Sequence, residues 1–204
     1  MITIYDLKPR FQALLRPLVG HLARAGVTAN AVTLLAMLVS FALGALLTIY
    51  GPAQAAWFLC LPVWMFLRMA LNAVDGMLAR EFGQKSALGA YLNELSDVLA
   101  DAALYLPFAL VAPFGWPSVT AVIFLSAVSE MTGALGPMVG APRQYQGPMG
   151  KSDRAFLFGA LGLWLGLAGS LPAASFWLMP LASLALLINI FNRIRGGLAA
   201  RTPT

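Results

Sequence analysis

The feature that most constrains this chain is a succession of apolar runs, each about twenty residues long, separated by connections of alternating charge character. A helix rises 1.5 Å per residue, so roughly 20 apolar residues cross the hydrocarbon core of a bilayer. Six spans are predicted, at 29–50, 54–80, 88–111, 116–138, 155–171 and 173–196. The connections at 51–53, 112–115 and near 172 contain no Lys or Arg. The other two loops carry Arg80 and Lys85, then Arg143, Lys151 and Arg154. Lys8, Arg10, Arg16 and Arg24 precede the first span, and Arg193, Arg195 and Arg201 lie at the far end. Under the positive-inside rule both termini and the two basic loops are cytoplasmic. Only Arg68 breaks the pattern, as a cation within a span.

With 60% hydrophobic and 10% charged residues, the chain lies far from a soluble domain, where about 25% are charged. The expected fold is all-α and integral to the membrane: an interfacial amphipathic helix at 1–28, then a six-helix transmembrane domain at 29–204. Leu7, Phe11, Leu14, Leu15, Leu18 and Leu22 recur at three- and four-residue intervals, as in a helix lying in the membrane interface or one packed on the bundle. Pro9 suits its first turn, whereas Pro17 is expected to kink or divide it. The opening MITIYDLKPR lacks the apolar core of a signal peptide, and the default location is a bacterial inner membrane. A net charge of +5 does not indicate nucleic acid, because the basic residues are scattered between apolar runs. Cys60, the single cysteine, can form neither an intrachain disulfide nor a thiolate cluster. His21 has no second imidazole nearby with which to work.

Against this background the stretch 72–101, NAVDGMLAREFGQKSALGAYLNELSDVLAD, is unusually polar. An ionisable group at bilayer depth costs about 3 kcal/mol or more before compensation, so such groups mark function. At about 100° per residue, Asn72, Asp75, Gly76, Ala79 and Arg80 share one arc of roughly 140°. Gly89, Asn93, Asp97 and Asp101 form a four-residue ladder on the next helix. The short turn between them makes the two helices antiparallel neighbours with their polar ends together, a plausible cradle for a metal. Glu130 in the fourth span is another isolated intramembrane carboxylate, and Arg68 is expected to neutralise Glu130, Glu94 or Asp101. The loop 140–154 either cradles a phosphate or simply follows the charge rule. Residues 155–196 are read as scaffold, with Pro180 bending the last helix.

NAVDGMLAR, followed after eight residues by GAYLNELSD, resembles the signature of the CDP-alcohol phosphotransferase family. That signature runs Asp, two residues, Asp-Gly, two residues, Ala-Arg, a spacer, Gly, three residues, Asp, three residues, Asp. Asp75, Gly76, Ala79, Arg80, Gly89 and Asp97 match it in type and spacing. Asn30 and Thr33 in TANAVT are similar to the family's Asn-x-x-Thr near its cytidine site, with Ala29 where a proline usually stands. Asn72 and Asn93 depart from it, standing at the first and third aspartates. Their carbonyls can coordinate Mg²⁺ or Mn²⁺, but two lost charges weaken a hard-cation site. Glu94 and Asp101 are the acidic residues available to restore charge.

The resemblance implies a membrane phosphatidyltransferase that moves a lipid phosphoryl group from a CDP-linked donor, usually CDP-diacylglycerol, to an alcohol and releases CMP. It implies Mg²⁺ or Mn²⁺ held by Asn72, Asp75, Asn93 and Asp97, with Asp97 also the general base for the acceptor hydroxyl. Asn30, Thr33, Gly76, Ala79, Arg80 and Gly89 would bind the CDP moiety. Arg143, Lys151 and Arg154 would recognise an anionic acceptor such as a polyol phosphate. It also implies a homodimer. Two other classes stay open from the residues: a non-catalytic CDP-lipid-binding or interaction protein, given Asn72 and Asn93, and an ion-coupled transporter.

Overall fold

A computed structural model describes residues 4–201, with side chains from residue 11 onward. The contributions expected from Leu7, Lys8 and Arg10 therefore lie outside the described side chains. The described residues form seven α-helices: α1 (Ile4–Arg24), α2 (Ala29–Tyr50), α3 (Cys60–Glu81), α4 (Ala87–Tyr105), α5 (Trp116–Ala134), α6 (Lys151–Ala168) and α7 (Leu178–Ala199). Short 3₁₀ turns lengthen four of them, at Ala55–Leu59 before α3, Leu106–Leu110 after α4, Gly136–Val139 after α5 and Ala173–Trp177 before α7. Helix starts follow local chemistry. Thr28 caps α2, its hydroxyl accepting from the Ala31 N–H at 3.2 Å, and Ser86 caps α4 by accepting from Gly89 N–H at 2.9 Å. Asp153 accepts from the Gly150 N–H at 2.9 Å and so fixes the start of α6.

Four helical segments are long and apolar enough to cross a membrane: Ala29–Tyr50, Ala55–Glu81, Trp116–Ala134 and Ala173–Ala199. The other two expected spans, α4 and α6, fall short for a chemical reason. α4 carries Glu94, Asp97 and Asp101, and α6 opens with Lys151, Asp153 and Arg154. Large apolar side chains such as Leu38, Ile49, Val63, Phe124 and Leu187 face outward, as lipid contact requires.

Three expectations about prolines and the long loop are corrected. α1 runs unbroken through Pro17, whose missing N–H costs only one ladder bond, and Pro9 lies beyond the first turn. Pro180 is the third residue of α7, where no intrahelical N–H partner is needed. Because α6 begins at Lys151, the loop is shorter than 140–154, and Lys151 and Arg154 are helical.

Two cores hold the bundle. Tyr105 stacks on Phe158 at 3.8 Å, and Phe108 meets both Phe58 and Phe158 edge-on, at the end of the α3/α4 pair away from its connecting turn. Val19, Ala29, Val32, Val74, Met77 and Leu78 form the second core, where α1, the start of α2 and the end of α3 meet. α1 is thus packed on the bundle through Val19, while Leu14 and Leu18 on its other side are exposed. α2 and α4 approach closely at Gly44, where a Cβ would stand 2.3 Å from the Ala103 carbonyl oxygen. Gly44→Ala is therefore expected to destabilise the protein by about 1–3 kcal/mol through forced separation of the helices. Thermal unfolding in detergent reads this directly; an unchanged midpoint would show that the helix pair has slack.

Candidate functional site

Three helix ends converge around the 82–86 turn. The Gln84 side chain joins them: its Oε1 accepts from the Ala29 N–H at 2.7 Å and its Nε2 donates to the Val27 carbonyl at 3.3 Å. That uses a free N–H at the start of α2 and ties this helix to the α3–α4 connection. Between the ends lies a cleft of about 430 Å³. Asn30, Thr33, Gly76, Ala79, Arg80 and Gly89 all line it, joined by Asp75, Asn93 and Glu94. The small residues keep it open. A Cβ at Gly89 would lie 2.8 Å from Asn30 Oδ1, and one at Gly76 would meet the Arg80 guanidinium at 3.0 Å.

At the inner wall Asp75 is buried, and its Oδ2 accepts from the Thr33 hydroxyl at 2.7 Å. Thr33 in turn also donates to the Ala29 carbonyl at 3.1 Å, so α2 orients the carboxylate of α3. Asp97 on α4 is more heavily engaged. Its Oδ1 accepts from Arg68 Nη2 at 3.2 Å and from Asn72 Nδ2 at 3.3 Å, and its Oδ2 meets Lys151 Nζ at 2.5 Å. Thr33 of α2, Arg68 and Asn72 of α3 and Lys151 of α6 are thereby gathered around two carboxylates.

The four residues expected to hold a metal offer only oxygen ligands, the set that suits Mg²⁺ or Mn²⁺. Two are carboxylates, Asp75 and Asp97, and two are amides, Asn72 and Asn93. Among the described residues no three His, Cys, Asp or Glu side chains converge in a way that could hold a metal ion. The donor chemistry therefore fits a hard divalent cation, with two formal charges where the family signature would supply four.

Behind Asp97 lies an ionic network. Arg68 Nη1 donates to Asp101 Oδ1 at 2.5 Å, and Arg68 Nη2 also reaches the Asp97 carbonyl at 3.1 Å. Of the partners expected for Arg68, Asp101 is the one realised, with Asp97 in addition. Arg154 is 1% exposed and bonds Asp101 Oδ2 at 3.3 Å, Glu130 Oε1 at 3.0 Å and the Met149 carbonyl at 3.2 Å. It is enclosed by these two carboxylates and the Met149 carbonyl. Arg143 pairs with Glu94 and, at 3.2 Å, with Glu130. Glu94 lines the cleft but holds Arg143, and Asp101 holds two arginines, so neither restores charge to the donor set.

Sequence reasoning passed over Arg193 and Asn189. Arg193 Nη1 donates to the Ser129 carbonyl at 2.6 Å and lies 3.5 Å from Glu130, while Asn189 accepts from Ser129 at 2.8 Å and donates to Pro148 at 2.7 Å. The signal was available: the two lie four apart on α7 and so share a face. Gln84, Lys85 and Ser86 also line the cleft; their exposed position in a turn gave no periodic cue.

This arrangement has counterparts. The chain is 44% identical to the inner membrane protein YnbA of Escherichia coli over 194 residues, covering 95% of this chain and 96% of that protein. It is 30% identical over 199 residues to the phosphatidylinositol phosphate synthase of Streptomyces avermitilis, covering 91% of this chain and 79% of the relative. The fold matches the crystal structure of Mycobacterium tuberculosis phosphatidylinositol phosphate synthase with CDP-DAG bound, with a TM-score of 0.73 at 20% identity over 92% of this chain and 98% of the other. A second crystal structure of that synthase, in complex with manganese and citrate, matches with the same TM-score, covering 90% of this chain and 88% of the other. The family model for CDP-alcohol phosphatidyltransferases matches residues 26–188. The chain is a membrane protein, and it belongs to the CDP-alcohol phosphatidyltransferase family.

Proposed function

We propose that this protein is a phosphatidyltransferase that transfers the phosphatidyl group of CDP-diacylglycerol to an alcohol and releases CMP. One observation carries the reading: the six residues expected to bind CDP line a single cleft, with Asp75 on its wall. The M. tuberculosis synthase with CDP-DAG bound supports the donor, and the same synthase in complex with manganese and citrate supports a divalent ion. In this reading the acceptor oxygen bonds to the phosphorus bearing diacylglycerol, and the bond from that phosphorus to CMP breaks. CMP leaves with the electron pair and the hydroxyl proton passes to Asp97. Asp75, Asp97, Asn72 and Asn93 would hold Mg²⁺ or Mn²⁺, which when bound neutralises pyrophosphate charge. Arg80 binds a donor phosphate, Gly76 and Ala79 leave room for the nucleotide, and Arg143 and Lys151 border the acceptor side.

We further infer six spans, with α4 and α6 sheltering their polar faces inside the bundle, and α1 resting in the interface on exposed Leu14 and Leu18. The cleft then opens to the cytoplasm, with both termini, while acyl chains stay in lipid. A bacterial inner membrane and a homodimer complete the reading, the latter on family resemblance alone.

Purified protein given CDP-diacylglycerol, Mg²⁺ or Mn²⁺ and a panel of alcohols should release CMP and form a new phospholipid identifiable by mass, and EDTA should stop both. A second reading, a CDP-lipid-binding protein without turnover, draws on Asn72, Asn93 and the engagement of both Asp97 oxygens by cations. Nucleotide binding with no CMP release for any alcohol would decide for it.

A further inference from the structure

We infer that the acceptor is an uncharged alcohol, a neutral polyol or similar hydroxyl compound, rather than a phosphorylated one. The inference rests on the phosphatidyltransferase reading and names the acceptor class of that site. Basic residues near the base would ordinarily suggest an anion, and Arg143, Lys151 and Arg154 carry that expectation. Here each of them is already paired. Arg143 gives one terminal nitrogen to Glu94 and the other to Glu130. Lys151 is on Asp97 Oδ2 at 2.5 Å. Arg154 divides its terminal nitrogens between the Met149 carbonyl and the carboxylates of Asp101 and Glu130. Both terminal nitrogens of Arg143 and Arg154 are held by acceptors, all carboxylates but one, so a phosphate would have to compete with these carboxylates for each guanidinium. The Nε–H of each is buried without a partner, a donor suited to a hydroxyl oxygen.

The charge balance points the same way. Within the network Arg68, Arg143, Lys151, Arg154 and Arg193 face Glu94, Asp97, Asp101 and Glu130, with Asp75 nearby, so its formal charges cancel, while Arg80 and Lys85 line the cleft outside it. A divalent ion and the donor's pyrophosphate would cancel each other in turn. A phosphate monoester entering this site would bring uncompensated negative charge beside Glu94 and Glu130, in surroundings where unpaired charge is expensive. A neutral polyol meets no such penalty and can donate to the carboxylates as well as accept from the arginines.

The test uses matched acceptors: glycerol against glycerol 3-phosphate, and inositol against inositol 1-phosphate, with CMP release and lipid mass as readouts. The uncharged member of at least one pair should turn over about tenfold faster or more than its phosphate ester. Glu94→Gln, at the partly exposed end of the network, should release Arg143 and narrow that ratio; Glu130→Gln should act likewise if it folds. A preference for the phosphate ester in the unmodified protein would overturn the inference. Calorimetric titration with inorganic phosphate decides independently of turnover. No saturable binding in the millimolar range is expected for the unmodified protein, with binding gained in Glu94→Gln. Saturable binding by the unmodified protein that is lost in Arg143→Ala would sink the inference. Failure to release CMP with every alcohol would instead count against the transferase reading, and the phosphate titration would still settle the charge of the site.

Discussion

Asp97→Ala is expected to lower the rate of CMP release by about 10²–10⁴-fold, the range spanned by loss of a positioned general base. Asp97 touches α3 and α6 at once, through Arg68 and Asn72 on one oxygen and Lys151 on the other. That places its carboxylate between the proposed donor wall and the basic residues of the acceptor side. Asp97→Asn is the sharper variant. The amide retains one oxygen for Arg68 but cannot take the hydroxyl proton, so the rate should fall nearly as far with less disturbance of packing. Donor binding, measured separately with CDP-diacylglycerol or CDP, should fall less than the rate, because the proposed nucleotide contacts are Asn30, Gly76, Arg80 and Gly89, which line the cleft. Activity within a few-fold of the unmodified protein in both variants would remove Asp97 from the chemistry. Loss of nucleotide binding as large as the loss of rate would make it a ligand of the donor complex and leave the base unassigned.

Much of this site was legible because the information is local. A helix period converts spacing into faces, so Asp75, Gly76, Ala79 and Arg80 could be placed together on α3, and Gly89, Asn93 and Asp97 on α4, from the sequence alone. The short turn between them forced the two faces to meet. Helix ends were legible where a cap is encoded, as at Thr28, and less so where a 3₁₀ turn extends the span or the start is a glycine, as at Gly150 before α6. Long-range pairing was not legible. Arg68 had three carboxylates to choose from, and which one it meets depends on how α3 and α4 rotate against each other. The roles of Arg154 and Arg193 were hidden for the same reason: the charge rule explains a basic residue near a span end equally well whether it faces solvent or is buried against Glu130. α1 packs Val19 on the bundle and leaves Leu14 and Leu18 outside.

Arg68→Ala should destabilise the protein by about 3–5 kcal/mol, the cost of removing one partner from a buried ion pair. Arg68 and Asp101 side chains are 5% and 6% exposed, and the loss would leave Asp101 with Arg154 alone. Asp101→Leu should be comparably costly, because it leaves two arginine forks facing a single remaining carboxylate each, Asp97 for Arg68 and Glu130 for Arg154. Combining Arg68→Met with Asp101→Leu should cost clearly less than the sum of the single changes, since neither charge is then left unmatched, with a coupling of about 0.5–3 kcal/mol. Thermal or denaturant unfolding in detergent measures the cycle, and strict additivity would mean that the two groups do not act as a pair. Arg68→Lys separates charge from geometry. A lysine keeps the charge but not the fork, so it cannot serve Asp101 and Asp97 from two nitrogens at fixed spacing. If stability recovers in Arg68→Lys while CMP release stays depressed, the network's task is to aim Asp97. If both recover together, a positive charge at this depth of α3 is sufficient and the orientation of Asp97 is set by Asn72 and Lys151.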